Sequence, residues 1–189
     1  VVSLLTTNNE DRSVISVVGI GGIGKTTLAR KIYHHGVVVD HFPHRAWVSV
    51  PRNCNSNALL EDAAKQVLSS LKLEENDNVE ASRMTRVRDV LKEKRYLLVL
   101  DNISTMEECD TLKKAFPVTA SGSRILLTTR DNTVASQADR YNPPHQLQLQ
   151  TKEESWQLFT QVVHFPPIDR FLAKEISEKC GGLPQAILG

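Results

Sequence analysis

With 189 residues, the chain is long enough for one domain and the start of a second, since single domains usually span about 100 to 200 residues. Apolar residues make up 40% of the chain and charged residues 24%, which argues against a disordered tail. The formal net charge of +1 gives no electrostatic reason to expect nucleic acid or a membrane surface as the main partner, and we expect no direct contact with nucleic acid. No apolar run approaches the roughly 20 residues of a spanning helix and the N-terminus lacks a signal-peptide layout, so we expect no membrane span and a cytoplasmic location.

Four short apolar runs predict the strands of a parallel sheet. They are VISVV at 14–18, AWVSV at 46–50, YLLVL at 96–100 and RILLTT at 124–129. Runs of this length that are apolar throughout are typical of strands buried on both faces. Helix-length polar stretches separate these runs. The alternation therefore predicts an α/β fold in which helices cover both faces of a parallel sheet.

Two of the intervening stretches have helical periodicity. From Ser56 to Leu71, apolar residues recur every three or four positions, and Ser56 is a candidate N-cap. The following stretch places Met84, Val87 and Leu91 on one side of a helix. Its arginines and lysines allow contact with a partner, but a solvated helix face is the commoner outcome.

The last part of the chain has only helical signals, beginning after the prolines of YNPP at 141–144. Thr151 and Glu154 have the spacing of a capping box ahead of one helix. A second helix is expected from about Ile168 to Lys179, after Pro166 and Pro167 and before two glycines. We therefore expect a domain boundary near residue 150, with domains over 1–150 and 151–189.

The strongest chemical motif follows the first predicted strand. The sequence GIGGIGKT at 19–26 matches the phosphate-binding pattern GxxxxGK[ST], between a buried strand and an amphipathic helix as that pattern requires. Glycines permit the tight turn that points successive backbone N–H groups toward an anion at a helix N-terminus. Lys25 is expected to reach the β- and γ-phosphates and the Thr26 hydroxyl to ligate Mg²⁺. The expected cradle comprises Gly19, Gly21, Gly22, Ile23, Gly24, Lys25, Thr26 and Thr27.

Two later strands end in residues that suit the same site. Asp101 ends the run LLVLD, where a carboxylate is expected to hold Mg²⁺ and its water shell. Arg130 follows the strand RILLTT at the carboxyl edge of the sheet, where ligands of doubly wound folds bind. Its guanidinium suits the γ-phosphate of a nucleotide, although pairing with a surface carboxylate is an equal alternative on chemistry alone.

Taken in order, these segments resemble the NB-ARC module of plant disease-resistance proteins, a branch of the STAND class of P-loop ATPases. The narrowest matches are LQLQTKEESWQLF at 147–159 and CGGLPQAI at 180–187; the others are VISVVGIGGIGKTTLARKIY, HFPHRAWVSV, KRYLLVLDNI and GSRILLTTR. The resemblance implies a three-layer αβα P-loop fold with a parallel sheet, followed by the start of a small helical domain. It also implies binding of ATP or ADP with Mg²⁺, packing of Pro184 against the adenine, and detection of the γ-phosphate by Arg130.

The resemblance further implies that the chain is the switch core of a larger receptor. Its partners would be the coiled-coil and leucine-rich-repeat domains of the same protein, with self-association in the ATP-bound form. Two features resemble the subclass that carries an N-terminal coiled coil, the non-TIR type. One is Trp47 in the AWVSV run. The other is Asn102 after the predicted Mg²⁺ strand, where a Trp-ended pattern would indicate the TIR type.

Asn102 is also the main departure from the family, which usually has a second acidic residue at this position to orient the attacking water. Asp101 and Asn102 are the candidate catalytic residues. Because an amide cannot accept a proton as a carboxylate can, we expect ATP hydrolysis to be weak or absent. Two alternatives to the switch stay open: a nucleotide-binding interaction module without turnover, and a metabolic ATPase or kinase that uses the same loop.

Overall fold

Five strands form one parallel sheet in the computed structural model, which describes residues 1–7, 11–51, 55–73, 82–118, 122–163 and 169–189. The strands are β1 Ser13–Val18, β2 His44–Ser49, β3 Tyr96–Ile103, β4 Arg124–Thr129 and β5 His145–Gln146. They lie in the order β2-β3-β4-β1-β5. Because β4 pairs with both β1 and β3, the loops that follow these three strands emerge side by side at the carboxyl edge of the sheet.

The helices fill the connections between strands and the end of the chain. They are α1 Val2–Leu5, α2 Lys25–Tyr33, α3 Gly36–His41, α4 Ser56–Ser70, α5 Arg83–Leu91, α6 Met106–Ala115, α7 Asn132–Ala138, α8 Lys152–Val162, α9 Arg170–Lys179 and α10 Pro184–Leu188. The four predicted strands are confirmed, and β3 extends three residues beyond its predicted end. Among the described residues, no helix is long and apolar enough to cross a membrane.

The sheet separates two apolar cores, because successive residues of a strand face opposite sides. In β3, Leu98 and Leu100 face the core that α4 to α7 cover, whereas Leu97 and Val99 face the core that α1 to α3 cover. All four of these side chains are fully buried. This arrangement is the predicted three-layer αβα fold. Because both faces of β3 are buried, the run YLLVL does not alternate between apolar and polar residues.

Side chains of α4 form hydrogen bonds with backbone groups of β2, the strand at one edge of the sheet. Gln66 accepts a hydrogen bond from the backbone N–H of Ser49 and donates one to the Ser49 carbonyl, at 2.8 and 3.1 Å. Ser70 Oγ accepts from the N–H of Trp47 at 3.3 Å. A covered edge of this kind does not offer a template for pairing with another chain.

The sequence pattern suggested Ser56 as the N-cap of α4, but this prediction is wrong, because the N-cap is Asn55. The Asn55 side chain accepts a hydrogen bond from the backbone N–H of Ala58 at 2.8 Å. Asparagine and serine cap helices about equally well, so the two neighbouring residues are not distinguished by propensity.

The last three helices, α8, α9 and α10, pack around a small core of their own and are called the helical unit below. Its buried apolar residues are Phe159, Ala173 and Ile187. The predicted capping box is confirmed, since Thr151 Oγ1 accepts from the Glu154 N–H at 3.1 Å and the Glu154 carboxylate accepts from the Thr151 N–H at 2.8 Å. The predicted end of α9 at Lys179 is confirmed, whereas Pro166, Pro167 and the predicted start at Ile168 lie outside the described residues.

Candidate functional site

A pocket of about 340 Å³ lies where the loops after β1, β3 and β4 meet the helical unit. The loop after β1 and the start of α2 contribute Gly22, Gly24, Lys25, Thr26 and Thr27. The other lining residues are Asn102, Thr128, Arg130, Pro184, Gln185 and Leu188. The carboxyl edge of a parallel sheet is where ligands of such folds bind, so the pocket lies where the sequence motifs predicted a site.

The glycine-rich loop turns sharply from β1 into α2. Gly22 and Gly24 have φ angles of +76° and +102°, a region that residues with a side chain rarely adopt. Gly24 is also the N-cap of α2, so the N-terminus of this helix faces the pocket. The other predicted cradle residues in this loop, Gly19, Gly21 and Ile23, do not line the pocket itself, and Ile23 is buried.

Lys25 is folded back onto the loop that carries it. Its Nζ donates hydrogen bonds to the carbonyl oxygens of Gly19 and Ile20, both at 2.8 Å. Burial lowers the pKa of the Lys25 amine, the nearby charge of Arg130 lowers it further, and Asp101 opposes both effects. Charged acceptors form stronger hydrogen bonds than carbonyls, so an anion in the pocket is a better partner for this ammonium group.

Asp101 does not itself line the pocket, but it is hydrogen-bonded to two residues that do and so connects three elements of the fold. Its carboxylate accepts a hydrogen bond from Thr26 Oγ1, at 2.9 Å to Oδ1, and another from Thr128 Oγ1 at 2.6 Å. Thr26 lies at the start of α2, Asp101 in β3 and Thr128 in β4. One carboxylate beside one hydroxyl is the protein share typical of Mg²⁺ that is bound together with phosphate groups, so these residues fit the predicted ion.

Asn102 has a left-handed backbone conformation, with φ +70°, at a break in the register between β3 and β4. Asparagine tolerates this region better than most residues. Its backbone N–H donates to Thr128 Oγ1 at 2.9 Å, and its side-chain amide donates to the carbonyl of Val50 at 3.2 Å. Asn102 therefore joins the end of β3 to β4 and to the segment after β2, a conformational role that sequence reasoning missed.

Arg130 lies over the glycine-rich loop and lines the pocket. A Cβ added to Gly21 would be 3.2 Å from the guanidinium carbon of Arg130. Arg130 is exposed, and within the described part of the chain it forms no ion pair with a carboxylate. Of the two alternatives that the sequence left open, the geometry favours a position in which the guanidinium is available to a ligand.

The helical unit supplies one side of the pocket through α10, which carries the predicted Pro184. The backbone N–H of Gln185 donates a hydrogen bond to the carbonyl of Gly22 at 3.2 Å, so α10 contacts the glycine-rich loop directly. Sequence reasoning missed Gln185, Leu188 and Thr128 as lining residues. The only signal for them was their position beside Pro184 and Arg130 in the chain.

Comparison with known proteins identifies the family. The chain matches the NB-ARC domain family over residues 1–167. It is 36% identical over 183 residues to the putative disease resistance RPP13-like protein 2 of Arabidopsis thaliana, covering 91% of this chain and 21% of that protein. The disease resistance protein RPP13 of the same plant is 35% identical over 198 residues, covering 98% and 23%. The chain therefore spans about a fifth of the length of these relatives.

Solved structures resemble this chain in fold. The ORC2 protein of Aeropyrum pernix, solved in ADPNP–ADP complexes, matches with a TM-score of 0.65 and 18% identity over 93% of this chain and 54% of its own. A signal transduction ATPase with numerous domains (STAND) from Pyrococcus horikoshii matches with a TM-score of 0.55 and 14% identity over 97% and 27%. These likenesses support the P-loop ATPase fold, the class that the loop motif predicted.

Replacing Thr128 by Val should destabilise the fold at the site. The change leaves the buried Asp101 with one donor fewer and the Asn102 N–H without its acceptor, and we expect a loss of about 2 to 3 kcal/mol in the free energy of unfolding. Thr128→Ser is the matched control, because it retains the hydroxyl and removes only a methyl group, at a cost of about 1 kcal/mol. Urea denaturation measures both, and equal losses in the two variants would show that the hydroxyl contributes nothing.

Proposed function

The chain belongs to the NB-ARC domain family, and from this membership we propose that it is the ATP/ADP-dependent switch core of an intracellular plant immune receptor. The observation that carries the proposal is the convergence of Lys25, Thr26 and Arg130 on one pocket between the sheet and the helical unit, with Asp101 hydrogen-bonded to Thr26. We further propose that residues 1–150 form the nucleotide-binding domain and that 151–189 begin a helical subdomain.

Nucleotide binding follows from the chemistry of the pocket residues. The turn at Gly22 and Gly24 presents backbone N–H groups at the start of α2, where phosphate oxygens are stabilised. Lys25 exchanges its two carbonyl acceptors for the charged oxygens of the β- and γ-phosphates. Thr26 and Asp101 hold Mg²⁺, which neutralises charge on the phosphates when it is bound. Pro184 lies in the pocket on α10 and packs against the adenine.

The switch requires that ATP and ADP favour different conformations, because a ligand shifts an equilibrium only by its differential affinity for the two states. Arg130 provides this difference by contacting the γ-phosphate, which ADP lacks. We propose that ADP maintains the closed receptor and that ATP favours an open form that self-associates. The coiled-coil and leucine-rich-repeat domains of the parent protein are the proposed intramolecular partners of this switch.

Hydrolysis is proposed to be weak, because the residue after Asp101 is an amide. Asn102 lines the pocket but is engaged with the Val50 carbonyl, and its side chain has no group that accepts a proton from water. This same observation favours the second candidate function, a module that binds nucleotide for protein contacts without turning it over.

Removing the Lys25 amine tests nucleotide binding itself. We expect Lys25→Ala to weaken Mg-ADP and Mg-ATP binding on the order of 100-fold, since two or more charged hydrogen bonds to phosphate are lost. Isothermal titration calorimetry on this chain measures both ligands. Lys31→Ala, at an exposed position of the same helix, should bind like the wild type. An unchanged ATP affinity in Lys25→Ala would show that the loop is not the nucleotide site.

Arg130→Ala tests the γ-phosphate sensor. Because the proposed contact exists only with ATP, we expect about a tenfold loss in ATP affinity with little change for ADP. The readout is the ratio of the two dissociation constants by calorimetry. Arg140→Ala removes the same charge at another exposed position and should leave the ratio unchanged. A parallel loss for both nucleotides would assign Arg130 to general phosphate binding.

Asn102→Asp tests the reason given for weak hydrolysis. Aspartate tolerates the left-handed conformation and adds the carboxylate that orients water, so we expect at least a tenfold increase in phosphate release from bound ATP. Asn102→Gly is the control, because glycine accepts φ +70° without supplying a base. The explanation is wrong if the glycine variant gains as much activity as the aspartate variant, or if neither gains any.

A further inference from the structure

Gln185 supplies a polar side chain from the helical unit to the pocket. Within the described chain, α10 contributes Pro184, Gln185 and Leu188 to the lining, and of these three only Gln185 carries hydrogen-bonding groups on its side chain. A carboxamide has two donor hydrogens on Nε2 and an acceptor oxygen. No hydrogen bond of this side chain occurs among the described residues, and the residue is exposed.

Close contact with the glycine-rich loop fixes where this carboxamide lies. The Gln185 backbone N–H donates to the Gly22 carbonyl at 3.2 Å. A Cβ added to Gly22 would come closest to Gln185 Oε1, and it would lie 2.7 Å from Gln185 Cβ and 3.2 Å from Gln185 Cδ. The side chain therefore rests on the glycine through its carboxamide oxygen, and the Nε2 donor is not among the three atoms nearest to Gly22. A side chain at position 22 would be unfavourable for two reasons: the backbone has a positive φ there, and Gln185 occupies the space that a Cβ would need.

The surroundings of this amide favour an anionic ligand. Lys25 and Arg130 line the same pocket, and the loop that Gln185 touches is the predicted phosphate cradle. An uncommitted N–H donor at this place suits a phosphate oxygen better than it suits a base, because the base is expected beside the neighbouring Pro184. A carboxylate at the same position would instead repel the phosphate groups.

We propose that Gln185 is a further nucleotide-binding residue whose carboxamide donates a hydrogen bond to the phosphate chain from the helical unit. This inference rests on the proposed nucleotide-binding function of the pocket. It gives the helical unit a direct contact with the phosphate chain of either nucleotide. The backbone bond to Gly22 positions the side chain for this contact.

The test compares Gln185→Glu and Gln185→Leu with the wild type by calorimetry with Mg-ADP, Mg-ATP and Mg-GDP. Both variants retain the backbone bond and a side chain of similar size against Gly22. We expect Gln185→Glu to weaken ADP and ATP binding at least tenfold by charge repulsion, and Gln185→Leu to weaken it about three- to tenfold by loss of the donor. The preference for ADP over GDP should not change, since the base is not contacted.

Gln161→Glu, which makes the same charge change at an exposed position of α8, is the matched control and should bind normally. Urea denaturation without nucleotide should give the same unfolding curve for all variants, because Gln185 is exposed. Wild-type affinity in Gln185→Glu would overturn the proposal while leaving the proposed function intact. A change confined to the ADP-over-GDP preference would also overturn it. If the wild type binds no nucleotide, the proposed function and this inference both fail.

Discussion

Asp101 is only 7% exposed, and a carboxylate that is buried to this degree must be hydrogen-bonded, because an unpaired buried charge costs several kcal/mol. Its donors are Thr26 and Thr128, which belong to α2 and β4. The hydrogen bonds that satisfy the Asp101 charge therefore hold the start of α2 against the ends of β3 and β4. Lys25 precedes Thr26 in the chain, so the same bonds fix the place at which its side chain enters the pocket.

Asn102 shows that the residue after this carboxylate has a structural as well as a chemical role. The strand breaks register here, and the left-handed φ of +70° excludes most side chains on steric grounds. Asparagine meets this conformational requirement and adds a bond to the Val50 carbonyl. An acidic residue meets the first requirement equally well. The amide is therefore compatible with the observed geometry, and it lacks the proton acceptor that a carboxylate would supply, which is the basis on which weak hydrolysis is proposed.

The parts of the fold that the sequence predicted are those with a local signal. β3 and β4 are apolar throughout because both faces of the sheet are covered, and the glycine-rich loop is marked by residues that its positive φ angles require. Both residues of β5 are exposed, so its sequence has no apolar pattern from which a strand could be predicted. Thr128 and Gln185 were missed for another reason. Their roles arise from contacts with Asp101 and Gly22, which are distant in sequence.

The helical unit meets the rest of the chain at two glycines, and this has a thermodynamic consequence. Gly182 lies against the backbone of Gln150, whose N–H donates to the Gly182 carbonyl at 2.9 Å, while Gly22 lies against Gln185. A ligand in the pocket between the loop and α10 contacts both sides of this junction. By linkage, any difference in affinity between ATP and ADP that depends on α10 must alter the docking free energy of the helical unit by the same amount. Under the proposed function, the junction would therefore couple the bound nucleotide to the position of the helical unit.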